Sequence, residues 1–401
     1  MARRVLLVNK FYYPRGGDCV VVLNTQALLR ENGVEAEVFA MQYPHNLPAH
    51  YENSFASEVS FGRGFRHQLL AMKRTLGMGD VAERFEAVLD DFKPDVVHLH
   101  NIHSYLSPVV AQLAHNRGIR VVWTLHDYKL LCPRYDCLRL GKPCEKCFTG
   151  SKINVLAHKC MKGSLPASVV AWLEALKWNR NTLAQNTDVF ICPSEFMAMK
   201  MKDGGFPNDK VVVLNNFLDP VKLQQYQAMD DISQREDYYC FVGRLSPEKG
   251  VEDLLDVASR LPYRLKVAGN GTLEPSLRIK YADNGNIEFL GMLDAQQVAK
   301  LLAGAKLSVA PSQWYENNPL SVVESLCAGT PVAGSDIGGI PELIDSTSGV
   351  IFPPFNKEAL ETAITMSMTR QWDHAEIARR ALQRFEPATH INTLMNDIYG
   401  I

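Results

Sequence analysis

One pattern constrains this chain more than any other. A short apolar run leads into a glycine-bearing loop and then into a segment of helical period, and this sequence of three recurs in both halves. Arg4–Val8 is such a run, followed by FYYPRGGD and by CVVVLNTQALLRENG, which closes on Gly33. Apolar runs at Ala36–Met41, Asp95–His98, Arg120–Leu125, Asp188–Cys192 and Val211–Leu214 continue it. Strands that read as continuous apolar runs are covered on both faces, so the pattern predicts a mostly parallel sheet wrapped by helices. After Val211–Leu214 the segment NNFLDPVKLQQYQAMDDISQREDYY turns polar and irregular, which puts a domain boundary near Asn215. The alternation then restarts with FVGRL, LKVAGNG, IEFLGML, LSVAP and PVAG. The chain has 401 residues, enough for two domains that each bury a core.

Composition narrows the function classes. With 46% apolar and 21% charged residues the chain reads as globular, and a net charge of -2 gives no global attraction to nucleic acid. The apolar run near the N-terminus is too short for a signal peptide or a membrane span, so a cytoplasmic protein is expected. Gly16 and Gly17 are adjacent, which is not the G-x-G-x-x-G fingerprint and disfavours a nicotinamide cofactor. The pair permits close approach of backbone to a ligand, or simply makes a tight turn.

The stretch with most chemistry is Trp314–Glu342, WYENNPLSVVESLCAGTPVAGSDIGGIPE. Asn318 followed by Pro319 reads as N-cap and first helical residue, with the helix ending near Ala328 before Gly329 and Pro331. The amides of Leu320 and Ser321 are then unpaired at the positive end of a helix dipole, which suits a phosphate. Glu324 falls one turn further along, and Glu316 stays in the loop before the helix. Carboxylates accept hydrogen bonds only and so partner sugar hydroxyls. The plain alternative is a solvated loop residue and an exposed helix residue.

Other candidates lie where strands end, the edge at which such sheets gather ligands. In the second half these are Arg244 and Lys249, able to meet a diphosphate, and the turns at Gly269, Asn270 and Gly291, able to admit a flat base. In the first half they are the Gly16–Gly17 loop, the HLHNIH segment and His126 beside Asp127. His98 and His100 read as satisfying loop backbone; as metal ligands they lack a third partner nearby. His126 is placed to hydrogen-bond a substrate hydroxyl.

Cys132, Cys137, Cys144, Cys147 and Cys160 fall within one irregular block, with His158 as a spare ligand. Four of the five thiolates could close a structural zinc site; free buried thiols, a redox disulfide and an iron–sulfur site are the alternatives. Two helices combine apolar stripes with basic flanks. One has Phe65, Leu69, Met72 and Leu76 among Arg63, Arg66, Lys73 and Arg74; the other has Trp172, Leu173, Leu176 and Trp178 near Lys162, Lys177 and Arg180. Such helices lie on an anionic membrane or pack a core with solvated outer faces.

Glu316 and Glu324 form E-x7-E, and with GRLSPEKG, VAGNG, EFLG and GSDIGGIPE this closely resembles family 4 of the retaining glycosyltransferases. PRGG, DVVHLHN and TLHDY extend the resemblance to the first half. It implies the GT-B architecture: two facing Rossmann-like domains with a cleft between them, residues 1–214 on the acceptor side (with the cysteine-rich insertion 132–160), 215–383 binding the nucleotide sugar, and a last helix in 384–401 that crosses back. It implies a nucleoside diphosphate sugar as donor, no catalytic metal, and a glycan or lipid-linked glycan as acceptor at the inner face of the cytoplasmic membrane. By position, Arg244 and Lys249 would hold the diphosphate, the Leu320 and Ser321 amides would cap it, Glu324 would bind the ribose and Glu316 the donor sugar. Gly16 and Gly17 would line the reacting centre and His126 the sugar hydroxyls. The chain departs from the family at Asn317, Asn318 and Pro319, where many members have glycines. Alternatives on the same architecture are a nucleotide-sugar epimerase, a phosphorylase, or a non-catalytic sugar-binding subunit.

Overall fold

The structure is a computed structural model that describes residues 3–59, 64–228 and 234–401. Arg63 lies outside the described residues, as do the side chains of Phe65 and Arg66. The chain divides into two compact units. Unit 1 comprises Met1–Cys137, Glu145–Leu214 and Ala388–Ile401; unit 2 comprises Leu138–Cys144 and Asn215–Pro387.

Unit 1 is built on six parallel strands: β1 (Arg4–Val8), β2 (Glu35–Phe39), β3 (Val96–Leu99), β4 (Arg120–Thr124), β5 (Val189–Cys192) and β6 (Val211–Val213), in the spatial order β2-β1-β3-β4-β5-β6. Val5 to Val8 are fully buried because helices cover both faces of the strand. Helix α1 (Gly17–Glu31) follows β1 directly, with Gly16 as an N-cap that supplies no side chain. Since β2 lies on one side of β1 and β3 on the other, the direction of winding reverses between β1 and β3. The loops leaving those two strands therefore border the crevice where such sheets bind ligands.

Unit 2 repeats the plan with β7 (Glu236–Val242), β8 (Arg264–Ala268), β9 (Ile287–Gly291), β10 (Ala305–Ala310), β11 (Val332–Ser335) and β12 (Gly349–Phe352), ordered β9-β8-β7-β10-β11-β12 and all parallel. Two apolar clusters sandwich this sheet. One gathers Tyr238, Cys240, Leu302, Val322, Val323 and Leu326; the other gathers Tyr239, Phe241, Leu254, Leu255, Leu307 and Ile364. The reversal here falls between β7 and β10.

Two segments differ from expectation. The stretch after Asn215 is not irregular throughout: Asp219 caps a helix Pro220–Gln227 through its side chain, which accepts from the amides of Val221 and Lys222. The cysteine block forms a two-stranded hairpin, Leu138–Arg139 with Lys142–Pro143, and a one-turn helix Asn154–Ala157. Among the described residues no helix is long and apolar enough to cross a membrane.

Candidate functional site

Lys249 and Glu316 reach each other because their loops leave the two strands that flank the reversal in unit 2. The loop after β7 carries Arg244 and Lys249, and the loop after β10 carries Ser312 and Glu316. Lys249 Nζ donates to Glu316 Oε1 at 2.6 Å, and Ser312 Oγ donates to the same oxygen at 2.7 Å. Glu316 is 7% exposed. Burial alone would raise its pKa, but the Lys249 ammonium, the hydrogen bond it donates and the Ser312 hydroxyl outweigh burial and hold the carboxyl below its ordinary value of 4.5. Glu316 is an ionised carboxylate in a nearly dry place.

Two glycines fix the loop that carries it. A Cβ on Gly250 would lie 1.9 Å from the Pro311 carbonyl oxygen, and one on Gly338 would lie 2.3 Å from the Glu316 carbonyl oxygen; both residues have positive φ, +67° and +64°. No other residue type fits against these backbones without displacing them. Gly339 N–H donates to Glu316 O at 2.7 Å, so the SDIGGIPE loop supports the glutamate from one side as the SPEKG loop does from the other.

Helix α2 (Leu320–Cys327) begins one residue later than the sequence suggested. Pro319 is its N-cap and no side chain caps it. Asn318 instead joins two chain segments: its Oδ1 accepts from the Asn216 amide at 3.2 Å and its carbonyl accepts from Asn216 Nδ2 at 3.0 Å. Its own side-chain N–H group is buried without a partner. The Pro319 carbonyl accepts from Val322 and Val323, while Leu320 and Ser321 are the first two residues of the helix. Glu324 lies on the buried side of α2. Lys222 Nζ donates to it at 2.5 Å, yet burial dominates and its pKa is raised. Lys222 was not legible in the sequence; the Asp219–Pro220 pair that starts its helix was the available signal.

Arg244 pairs with Glu248 at 2.8 Å and donates to Ser246 Oγ at 3.3 Å. Gly269 N–H donates to Gly291 O, and Asn270 O accepts from Leu245 N–H, so those turns join the ends of β7, β8 and β9.

In unit 1 the crevice between β1 and β3 holds a polar cluster. Asp18, in the first turn of α1 just after Gly16 and Gly17, accepts from Asn101 Nδ2 at 2.9 Å. Burial opposes its charge, but His126, Lys10 and Asn101 keep its pKa lowered. His126 Nε2 contacts His100 Nδ1 at 3.0 Å with the rings stacked. Burial lowers the pKa of His126 more than Asp18 and Asp127 raise it. His98 bonds Tyr399 Oη at 2.6 Å and Thr124 Oγ1 at 2.8 Å, so its ring partners are side chains rather than the loop backbone that the sequence suggested. A cavity of roughly 210 Å³ in the same unit is lined by His103, Lys129, Lys152, Glu174, Leu176 and Trp178, among others.

The five cysteines of the block all lie among the described residues. Cys132 and Cys137 share a hydrogen bond, but among the described residues no group of three or more His, Cys, Asp and Glu is arranged to hold a metal ion. Lys152 Nζ donates to Leu131 O at 2.6 Å and Cys147 O at 2.5 Å; burial lowers its pKa, and the nearby Cys147, Cys132 and Cys137 oppose that shift.

Residues 225–384 match the family model described as Glycosyl transferases group 1, and residues 15–222, just over half of the chain, match that of Glycosyltransferase Family 4. The chain belongs to glycosyltransferase family 4. Two relatives cover most of this glycosyltransferase. An uncharacterized 42.6 kDa protein in the cps region of Klebsiella pneumoniae is 27% identical over 84% of this chain and 87% of that one. The O-antigen chain mannosyltransferase C of Escherichia coli is 25% identical over 96% and 93%. The solved structure of Anabaena Alr3699/HepE in complex with UDP-glucose shares the glycosyltransferase's two-domain α/β fold, with a TM-score of 0.64 at 16% identity over 99% of this chain and 100% of that one.

Proposed function

We propose that this glycosyltransferase moves a sugar from a nucleoside diphosphate sugar to an acceptor hydroxyl with retention of anomeric configuration, in the synthesis of a cell-surface polysaccharide or glycolipid. The observation that carries the reading is Glu316: a buried carboxylate held ionised by Lys249 and Ser312, on a loop clamped by two glycines, just before the start of α2. An ionised carboxylate orients the donor sugar and stabilises positive charge developing at its anomeric carbon. The bond from that carbon to the leaving phosphate oxygen breaks with its electron pair on the phosphate. The acceptor oxygen bonds to the carbon on the same face, and its proton passes to the leaving oxygen. Arg244, Lys249 and the amides of Leu320 and Ser321 meet the charge that collects on the diphosphate. Arg244 is paired with Glu248, so the donor competes for it. Glu324 takes the ribose hydroxyls, the unpartnered Asn318 N–H group donates to the donor, and Gly269, Asn270 and Gly291 border the base. In unit 1, Gly16 and Gly17 admit a sugar close to the backbone and His126 hydrogen-bonds a sugar hydroxyl.

The relatives support the setting, since one acts on an O-antigen chain and another lies in a cps region, and the Anabaena structure holds a UDP-sugar. The acceptor is a glycan or lipid-linked glycan met at the inner face of the cytoplasmic membrane. Thermal shift and calorimetry against UDP-, GDP-, ADP- and dTDP-sugars test the reading. One donor class should stabilise the protein, and Arg244→Ala should weaken it by about tenfold, the size of one charge-assisted contact. Failure of every nucleotide sugar to bind would overturn the proposal.

A further inference from the structure

Two helices of unit 1 bury charged side chains while turning large apolar ones outward. In Leu165–Lys177 two polar side chains, Ser168 and Glu174, face inward. Ser168 Oγ donates to Ser164 O and accepts from Met161 N–H, while Glu174, 5% exposed, accepts from Ser104 Oγ at 2.8 Å and pairs with Lys129 at 2.8 Å. Ala171 shares that buried face and Trp172 is half-buried, but four large apolar side chains face outward: Leu165, Val169, Leu173 and Leu176 are 49%, 36%, 38% and 48% exposed. Their spacing of four, four and three puts them on one stripe, roughly 16 Å long at the helical rise.

The helix Phe65–Thr75 also buries a charge while exposing large apolar side chains. Arg74 is fully buried, donates to Ser57 O at 2.6 Å and Ser57 Oγ at 2.9 Å, and pairs with Asp80. Leu69, Leu70 and Met72 are exposed. The C-terminal ends of the two helices are joined, because Trp178 Nε1 donates to Thr75 O at 2.8 Å and Lys177 Nζ to Leu76 O. A surface helix of a soluble protein ordinarily does the reverse, and a contiguous exposed apolar face marks an interaction surface.

The charges around this face choose the occupant. Residues 64–79 contain no Asp or Glu, and residues 158–180 contain only Glu174, which is buried in its ion pair. The exposed charges are Lys73, Lys159, Lys162, Lys177 and Arg180. An apolar stripe with cations at its ends and no anion fits a surface that is apolar within and negative at its boundary, and long lysine side chains reach that boundary while their stems stay apolar. We propose that the outward faces of Phe65–Thr75 and Leu165–Lys177 dock on an anionic lipid bilayer. This deepens the reading above, from which it takes only a membrane-bound acceptor.

Flotation of the full chain with vesicles of phosphatidylcholine, alone or mixed with phosphatidylglycerol, tests it. Binding should be about tenfold stronger on the anionic vesicles and should weaken with salt. The triple variant Leu69→Ser, Leu165→Ser, Leu173→Ser should lose about tenfold in binding while circular dichroism, melting temperature and nucleotide-sugar binding stay unchanged. Equal binding by the variant, or no vesicle binding by the wild type, would overturn the docking surface. So would a dimer, seen by light scattering, that the variant abolishes. Because nucleotide-sugar binding is measured in the same samples, its failure alone counts against the transfer reading and leaves the membrane result standing.

Discussion

Glu316 and Glu324 are both buried and both paired with a lysine, yet their carboxyls shift in opposite directions. Glu316 accepts from Lys249 and Ser312 on one oxygen, whereas Glu324, at a burial of similar extent, accepts from Lys222 and faces the like charge of Asp219. As pH falls, Glu324 should protonate first, above 4.5, and Glu316 last, below it. The signs for stability follow. Glu316 contributes stability that is present above its unfolded value and lost as pH falls through its depressed native one. Glu324 favours the native state more as acid neutralises it. Carboxyl-carbon NMR titration checks the order, and a reversed order would contradict the account. Lys222→Met leaves Glu324 as an uncompensated buried charge and should cost about 3–5 kcal/mol at neutral pH. Chemical denaturation should show that cost shrinking in acid as the carboxyl takes up a proton. Position in the E-x7-E pattern identified both glutamates, but not which lysine each would meet. Lys249 was visible in the GRLSPEKG motif, whereas Lys222 lay in a stretch whose polarity concealed a capped helix.

At the scale of loops and helices, sequence reading located strands to within a few residues, because buried parallel strands are uninterrupted apolar runs bounded by turns. It missed Gly349–Phe352, a four-residue strand with two half-buried positions whose pattern does not stand out from a turn. It also placed the start of α2 one residue early, since Asn318 resembles a cap but is engaged with Asn216 across 102 positions. Strand order was not legible, and strand order decides which loops meet. Lys249 and Glu316 meet because β7 and β10 are neighbours, although 67 positions separate the two residues. The role of Gly338 was likewise hidden, because close backbone approach leaves no trace beyond the glycine itself. Gly338→Ala should destabilise the chain by about 1–3 kcal/mol through backbone strain and reduce transfer more than that loss explains, because the clash falls on Glu316. Denaturation paired with rate measurement separates the two effects. A variant with native stability and full activity would remove the loop from the account.

For the whole molecule, the notable feature is that unit 1 is not continuous in sequence. Ala388–Ile401 completes it: Tyr399 reaches His98 over 301 positions, and Arg120 Nε donates to Ile398 O at 2.8 Å. No local pattern in the last residues announces such partners. Deleting Ala388–Ile401 should leave the His98 ring without its Tyr399 partner. Amide exchange in Val96–Leu99 and Arg120–Thr124 should then speed up by about tenfold or more. Strands of unit 2 should exchange as before, and uniform acceleration in both units would show that the segment stabilises the chain in some other way.

The claim that Glu316 serves the chemistry rather than the fold is tested most directly by Glu316→Gln, with glycosyl transfer and donor binding measured on the same preparation. Transfer should fall by about 10²-fold or more, the scale of losing one preorganised electrostatic partner, while the nucleotide sugar still binds. Undiminished transfer by this variant would contradict the account.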